Sequence, residues 1–387
     1  MLGVGVILGP ELLGMIHPEL LAVGADLRLI ALIVILLRVG LEINRKTLHR
    51  VGGRVLLLAF LPATCEAAMI AVIAPVFLPL THLEGLLLGT VLAAVSPAVV
   101  MPLMSRFMLA RKGARHDVPA MVMAAASLDD IYVIVAHAAV TGVYVGQQVN
   151  LVWQVVSVPV SLLLGAGAGC AIGGVLYALF GRFKPRATKR VVVLVALAIV
   201  LVRIEHLLAG WVPFAGLVAA MGMGFVLLEK DEAGAHRVSA KLAKIWVAAE
   251  IILFSMVGAQ VELAVAWQAG LSGLAILAIG LMARGVGVHC CLLGSKLNWK
   301  ERLFVMVSFF PKATVQAAIG GAPLMAMAAA GMPTDAGKMI LAIAVLSIVV
   351  TAPVGAWVIA WVGERFLEAD VEQCADAQAG RATELSG

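Results

Sequence analysis

Two adjacent aspartates, Asp129 and Asp130, stand in Ala125-Ala126-Ser127-Leu128-Asp129-Asp130-Ile131, with mainly apolar sequence on either side. A carboxylate at membrane depth is costly, so its presence there points to function. Neighbouring residues on a helix point about 100° apart. One acid can therefore face a cavity while the other reaches a base. Burial and a nearby cation push a carboxylate's proton affinity in opposite directions. An aspartate in a hydrated cavity can thus be set to trade a proton for a hard cation, whose preferred ligands are carboxylate and carbonyl oxygens. Four more charges lie inside apolar runs: Glu66, Glu250, Arg284 and Lys312. Lys312 follows the helix-breaking Pro311, and either pairs with Asp129 or snorkels to an interface. Two acids against two bases predict the pairs Asp129–Lys312 and Glu66–Arg284. Glu250 receives no role, and Arg38 and Glu42, at the end of an apolar run, read as structural.

These charges need a scaffold, and the composition dictates its kind. Of 387 residues, 62% are apolar and 13% charged. An ordinary soluble domain has about twice that charge. Disorder is excluded by the hydrophobicity. Five cysteines without a CxxC pair exclude a disulfide scaffold or a zinc site. A polytopic all-α membrane protein remains, since strands with open edges cannot be satisfied in lipid.

Apolar stretches fall at 1–16, 25–41, 53–79, 84–105, 118–145, 151–181, 190–208, 212–228, 244–264, 267–294, 302–330 and 336–362, which predicts twelve spans. The first run has no basic stretch before it, so no cleavable signal peptide is expected. Lys and Arg alternate by side. The links after spans 2, 4, 6, 8 and 10 carry Arg45/Lys46/Arg50, Arg106/Arg111/Lys112/Arg115, Arg182/Lys184/Arg186/Lys189/Arg190, Lys230/Arg237/Lys241 and Lys296/Lys300/Arg302. The other links hold only Arg28, Arg203 and Lys338. The positive-inside rule makes the even links cytoplasmic, together with the polar tail at 364–387. The membrane unit then covers 1–363. Twelve spans start Met1 on the cytoplasmic side, and one further helix upstream would place the N-terminus outside. The net charge of +5 is spread over these links, so no nucleic-acid partner is expected. The partner is membrane lipid.

Two spans carry breakers at mirrored places in the chain: Ala94-Val95-Ser96-Pro97-Ala98 in span 4 and Phe310-Pro311-Lys312-Ala313-Thr314 in span 11. Proline removes a helix hydrogen bond. Paired interruptions in corresponding halves of a membrane protein point to a transporter's binding site. The glycines of Gly165-Ala166-Gly167-Ala168-Gly169 read as a close-packing stripe, His137 as a packed polar residue, and Cys290-Cys291 as core. Walker A and HExxH sequences are absent, and no enzyme activity or cofactor is expected.

Ser127-Leu128-Asp129-Asp130 resembles the double-aspartate motif of the electrogenic branch of the monovalent cation:proton antiporters. The segments Ala94 to Pro102 (AVSPAVVMP), Pro311 to Gly320 (PKATVQAAIG), Leu36 to Leu41 and Leu253 to Val261 are similar to the NHA group of sodium/hydrogen exchangers. The resemblance runs from the first residues to about 363, and the PKAT segment is its most specific part.

That resemblance implies inverted five-helix repeats, two crossed discontinuous helices in spans 4 and 11, and a homodimer whose core domain moves against a dimerisation domain. It implies Asp130 as the ion-binding carboxylate for Na⁺ or Li⁺, Asp129 as its base-paired neighbour, and Ser96, Pro97, Pro311 and Thr314 as the helix breaks around them. The chain departs from many relatives in carrying Arg284 where they have lysine, and Gln260 where glutamate is common. The expected activity is exchange of Na⁺ or Li⁺ for H⁺ across the inner membrane. The alternatives are K⁺/H⁺ exchange and sodium-coupled symport of an organic anion. A membrane aspartyl protease would need its two acids on separate facing helices. Exchange is expected to be electrogenic, with two protons per cation, because Lys312 releases its proton when Asp129 is freed; the competing reading is a Lys312–Asp129 pair that never opens and a neutral cycle.

Overall fold

In lipid every backbone N–H and C=O must be paired within its own segment, and these apolar runs accordingly fold as helices. The computed structural model describes residues 2–10, 12–15, 18–41, 53–146, 151–208, 211–259 and 263–368, among which no strand occurs. The helices are α1 (Leu2–Leu8), α2 (Pro18–Gly40), α3 (Gly53–Phe77), α4 (His82–Leu92), α5 (Pro97–Leu109), α6 (Val118–Tyr144), α7 (Leu151–Phe183), α8 (Ala187–Leu208), α9 (Gly216–Lys230), α10 (Glu232–Ala259), α11 (Leu263–Cys291), α12 (Trp299–Ser308), α13 (Thr314–Ile319), α14 (Ala322–Ala329) and α15 (Asp335–Phe366). Seven segments among the described residues are long and apolar enough to cross a membrane, counting α4 with α5 as one.

The expected spans map onto this list with five differences, one being that the second begins at Pro18 rather than 25. The first is a short helix, because Pro10 follows directly on its last turn. The fourth divides into α4 and α5 around Ala93–Ser96, with Pro97 opening α5, where a missing N–H costs nothing. The eleventh divides into α12, α13 and α14. The ninth starts twelve residues earlier than hydropathy suggests (Glu232 rather than 244). That extension is amphipathic: Val238 and Leu242 are buried, while Arg237, Lys241 and Lys244 are exposed. Arg45, Lys46, Arg50, Glu42, Gln260 and the tail beyond Glu368 lie outside the described residues.

Contacts between links agree with the alternation of charge. Arg54 donates to Gly294 O at 2.8 Å, joining the links after spans 2 and 10. Arg190 pairs with Asp231 at 2.8 Å, joining those after spans 6 and 8; this bond holds the Asp231 carboxyl below the usual carboxylate range. Arg106 (2.6 Å) and Lys112 pair with Glu364, joining the link after span 4 to the end of α15. Each contact thus brings two basic links, or a basic link and the end of α15, to the same end of the bundle. Aromatic rings ring both ends: Trp299, Trp357 and Trp361 beside the basic face, Trp211 and Trp267 at the other, as expected at a membrane interface.

The helices pack in two groups. One core joins α2 and α7–α10, through residues such as Leu37, Leu194, Met223 and Leu242, and it takes in Ala313 and Ala317 at α13 and Leu341, Val345 and Ile348 of α15. Two further cores join α3–α6 with α11–α15, through Leu58, Phe107, Phe304, Ile70, Leu88 and Ile340. A smaller apolar seam, Ile131 with Ala215 and Val218, lies between the groups. Close approach in the first group depends on missing side chains. A Cβ on Gly169 would run into the Ala219 carbonyl, and one on Gly165 into that of Ala215, whereas Gly167 faces open space. The small-residue stripe is thus a packing surface of alternate glycines only. Cys291 is buried as expected, but Cys290 is exposed.

This generates a matched test. Gly169→Ala should destabilise the purified protein by about 1–3 kcal/mol, the usual cost of overpacking, and lower its melting temperature in detergent. Gly167→Ala, two residues away, should leave the melting temperature unchanged or slightly raised.

Candidate functional site

Each buried charge is carried by a different helix of the second group: Glu66 on α3, Asp129 and Asp130 on α6, Arg284 on α11, and Lys312 between α12 and α13. All are at most 2% exposed, as are Ser96, Thr314 and Gln316. Charges so deeply buried require partners.

Arg284 is the hub. Its guanidinium reaches Glu66 Oε2 at 2.6 Å and Asp129 Oδ1 at 2.8 Å, and donates to Ala93 O. The planar fork suits such divided contacts, and it lies over the Phe309 ring, 5.8 Å from its centroid. Lys312 Nζ lies 2.8 Å from Glu66 Oε2. The expected Glu66–Arg284 pair forms, but the expected Asp129–Lys312 pair does not. Asp129 is taken by Arg284 and by the Val95 N–H at 2.9 Å, so Lys312 turns to the carboxylate still in reach. Glu66 serves both bases.

Both helix breaks belong to this cluster. Ser96 N donates to Pro311 O at 2.9 Å, which seats one break against the other. The Lys312 N–H donates to Thr351 Oγ1 at 2.8 Å. Gln316 spans the pair: its Oε1 accepts from Ala313 N at 2.8 Å, and its Nε2 donates to Ala94 O at 2.7 Å. Sequence reasoning singled out neither Gln316 nor Thr351; the one available signal for Gln316 was its place within the PKATVQ segment.

Among the described residues, the buried oxygens left without a hydrogen-bond partner include Asp130 Oδ1, Ser96 Oγ, Thr314 Oγ1 and Glu66 Oε1. These belong to a carboxylate beside Asp129, a hydroxyl at each break, and the shared acid. Carboxylate and hydroxyl oxygens suit a hard monovalent cation as transported substrate. The other sequence candidates sit apart. His137 packs on Thr90, with Nδ1 3.0 Å from Oγ1, and Glu250 is half-buried on α10, in the other helix group.

The corrected pairing predicts the energetics of the cluster. Breaking a buried pair costs about 3–5 kcal/mol, so Lys312→Met and Glu66→Gln should each lower thermal stability. Their effects should couple by about 0.5–3 kcal/mol in a double-mutant cycle. The cycle of Asp129→Asn with Lys312→Met should couple more weakly, because those two meet only through Arg284 and Glu66; coupling there stronger than between Lys312 and Glu66 would contradict the observed geometry.

Known proteins share both sequence and shape. Human sodium/hydrogen exchanger 9B2 is 30% identical over 349 residues, 89% of this chain and 64% of that protein. Its Xenopus tropicalis counterpart is 31% identical, with the same shares covered. The chain therefore spans less than two thirds of the length of these relatives. The sodium proton antiporter MjNhaP1 from Methanocaldococcus jannaschii superposes with a TM-score of 0.83 at 21% identity, over 94% of this chain and 91% of that one. The folds are alike. Residues 1–365 match the model of the transmembrane sodium/hydrogen exchangers, and the chain belongs to that family.

Proposed function

We propose that this protein is a secondary active antiporter, not an enzyme, exchanging Na⁺ or Li⁺ for H⁺ by alternating access, with Asp130 binding the cation or the proton in turn. The observation that carries this is the buried Asp130 oxygen left unpartnered beside a cluster whose own charges cancel. Ser96 and Thr314 offer hydroxyls at the two breaks, with Pro97 and Pro311 keeping the backbone open there. The relatives' names, sodium/hydrogen exchanger and sodium proton antiporter, agree with the reading. The wider architecture that fits it has twelve spans as inverted repeats, in which α4/α5 and α12/α13 are the two crossed discontinuous helices. Residues 1–363 are then the membrane unit, in a homodimer of the inner membrane, and 364–387 a cytoplasmic tail beside the basic links.

The stoichiometry follows from charge. Glu66, Asp129, Arg284 and Lys312 sum to zero, and Arg284 keeps its proton in any ordinary condition. Asp130 is the unmatched charge, and a proton or a Na⁺ neutralises it equally. The electrogenic cycle expected from the sequence has Lys312 giving up its proton as Asp129 is freed, whereas Lys312 is held by Glu66 and Asp129 by Arg284. We therefore take the exchange as one for one. A membrane potential, worth about 2.3 kcal/mol per charge per 100 mV, should then leave it untouched.

Two measurements check this. In everted vesicles, Na⁺ or Li⁺ should release protons, K⁺ should release few, and Asp130→Asn should abolish the response while the purified variant still melts cooperatively. Cation-dependent proton flux in that variant would remove Asp130 from its role. In proteoliposomes with a potassium–valinomycin potential and no pH gradient, Na⁺ flux should be indifferent to the sign of the potential. Flux that follows the sign would restore the two-proton cycle.

A further inference from the structure

Ala278, Met282, Val286 and His289 of α11 follow one another at three- or four-residue spacing, which puts them on one face of the helix. All four are exposed, Met282 and Val286 at 62% each. Exposure is ordinary on a helix that meets lipid, but this face is hollow. Met306 of α12, with Phe310 just past the end of that helix, forms an opposite wall and bounds a groove of about 620 Å³. A smaller hollow of about 290 Å³ continues it past Ala278 and Phe310, between α11 and α15. From Ala278 to His289 the helix rises about 16 Å, roughly one leaflet of a bilayer whose hydrocarbon core is about 30 Å thick.

The larger groove is apolar along its length except at His289, which lies at the basic end of the bundle. Arg302 stands one turn before Met306 on the same side of α12, and so toward that end. Its Nε and Nη2 donate to Leu297 O at 3.0 Å and to Ser295 O at 3.2 Å, which pins the guanidinium to the link after α11. Lys296, in that link, is exposed. Glu301 adds no negative charge to this surface: it is buried, accepts from Asn298 N, and lies 2.9 Å from His116 Nδ1. Trp299, 65% exposed at the start of α12, marks the level of the lipid headgroups. The groove thus has the depth of a leaflet, an apolar body and a cationic mouth.

We propose that it binds an anionic phospholipid, with one acyl chain along α11 and the phosphate at His289 and Arg302. An unfilled hollow forfeits the dispersion contacts of its lining, and a flexible hydrocarbon chain restores them. A guanidinium binds phosphate oxygens through charge-assisted hydrogen bonds, and an imidazole N–H donates to them whether or not the ring is charged. A second copy of the chain is the poorer occupant. Two copies inserted in the same sense and related by a two-fold axis along the membrane normal would set one basic mouth against the other. The inference does not depend on the exchange reading above.

The test titrates the full-length protein, freed of lipid in detergent, with dioleoyl phosphatidylglycerol, dioleoyl phosphatidylcholine and inorganic phosphate. Melting temperature and the lipid retained in native mass spectra are the readouts. Phosphatidylglycerol should raise the melting temperature and bind about tenfold more tightly than phosphatidylcholine, the scale of one charge-assisted hydrogen bond. Phosphate without a chain should do nothing. Val286→Trp and Ala278→Phe, which fill the groove at two depths, should each weaken both lipids about tenfold, the loss of a few buried methylenes. His289→Phe combined with Arg302→Gln should abolish the preference for phosphatidylglycerol and leave phosphatidylcholine binding unchanged. Equal affinity for the two lipids in the unsubstituted protein would overturn the proposal, as would a preference that survives the loss of both mouth residues. Unchanged lipid binding in both groove variants would overturn it too; a changed oligomeric state in those variants would assign the groove to a second copy instead. Failure of both groove variants to fold would show packed core where a groove is assigned, and counts against it equally.

Discussion

The second helix group is organised around one carboxylate shared by two cations. Glu66 accepts from Arg284 at 2.6 Å and from Lys312 at 2.8 Å on the same oxygen. Removing ions from water costs several kcal/mol each, so none of the four buried charges is affordable alone. Together they cancel. The cancellation is available only if α3, α6, α11 and the α12–α13 break meet at one point, and this fixes how those helices pack. Apolar packing tolerates substitution and some slippage. A forked guanidinium with two carboxylates and a carbonyl does not.

The breaks follow from the same constraint. An unbroken α4 would bury its carbonyls in its own ladder and offer nothing to Arg284. Interrupted at Ala93, it presents one carbonyl to the guanidinium, two to Gln316, and the Val95 N–H to Asp129. The second break returns the favour through Pro311 O, which accepts from Ser96 N. Charge cluster and irregular backbone therefore satisfy each other, the condition under which non-helical backbone persists at membrane depth.

Much of this was legible in the residues. Hydropathy located every helix beyond α1 to within a few residues, except at the start of α2, which begins at Pro18 rather than 25, and where the polar start of α10 hid a helix whose exposed face carries Arg237, Lys241 and Lys244. Proline located both breaks, because its missing N–H is a local property. Which acid meets which base was not legible. Charge counting gives two pairs, but it cannot know that one guanidinium will take two carboxylates and leave Lys312 to share the first. Gln316 escaped for a related reason: a neutral amide in an apolar run carries no charge signal, and its function appears only when two distant segments are brought together. The glycine stripe was half legible, since the composition announces close packing but only the register shows that Gly165 and Gly169 face a neighbour while Gly167 does not.

The distribution of polar contacts also bears on motion. The ionic cluster and both breaks lie within the second helix group, where each of these pairings must be kept for the charges to stay neutral. Between the groups the contacts are apolar: Ile131, next to Asp130, meets Ala215 and Val218, and Ala313, Ala317, Leu341, Val345 and Ile348 pack into the core of the first group. Apolar contacts between small side chains are non-directional; they can be exchanged for similar ones as the surfaces slide, at little cost. Hydrogen-bonded ion pairs cannot be exchanged so cheaply. If the site is to open alternately to the two sides, the inexpensive movement is therefore of the whole second group past the first. The cluster would travel intact, carrying Asp130 past the seam with it; under the exchange proposed above, a proton or a cation keeps that carboxylate neutral on the way.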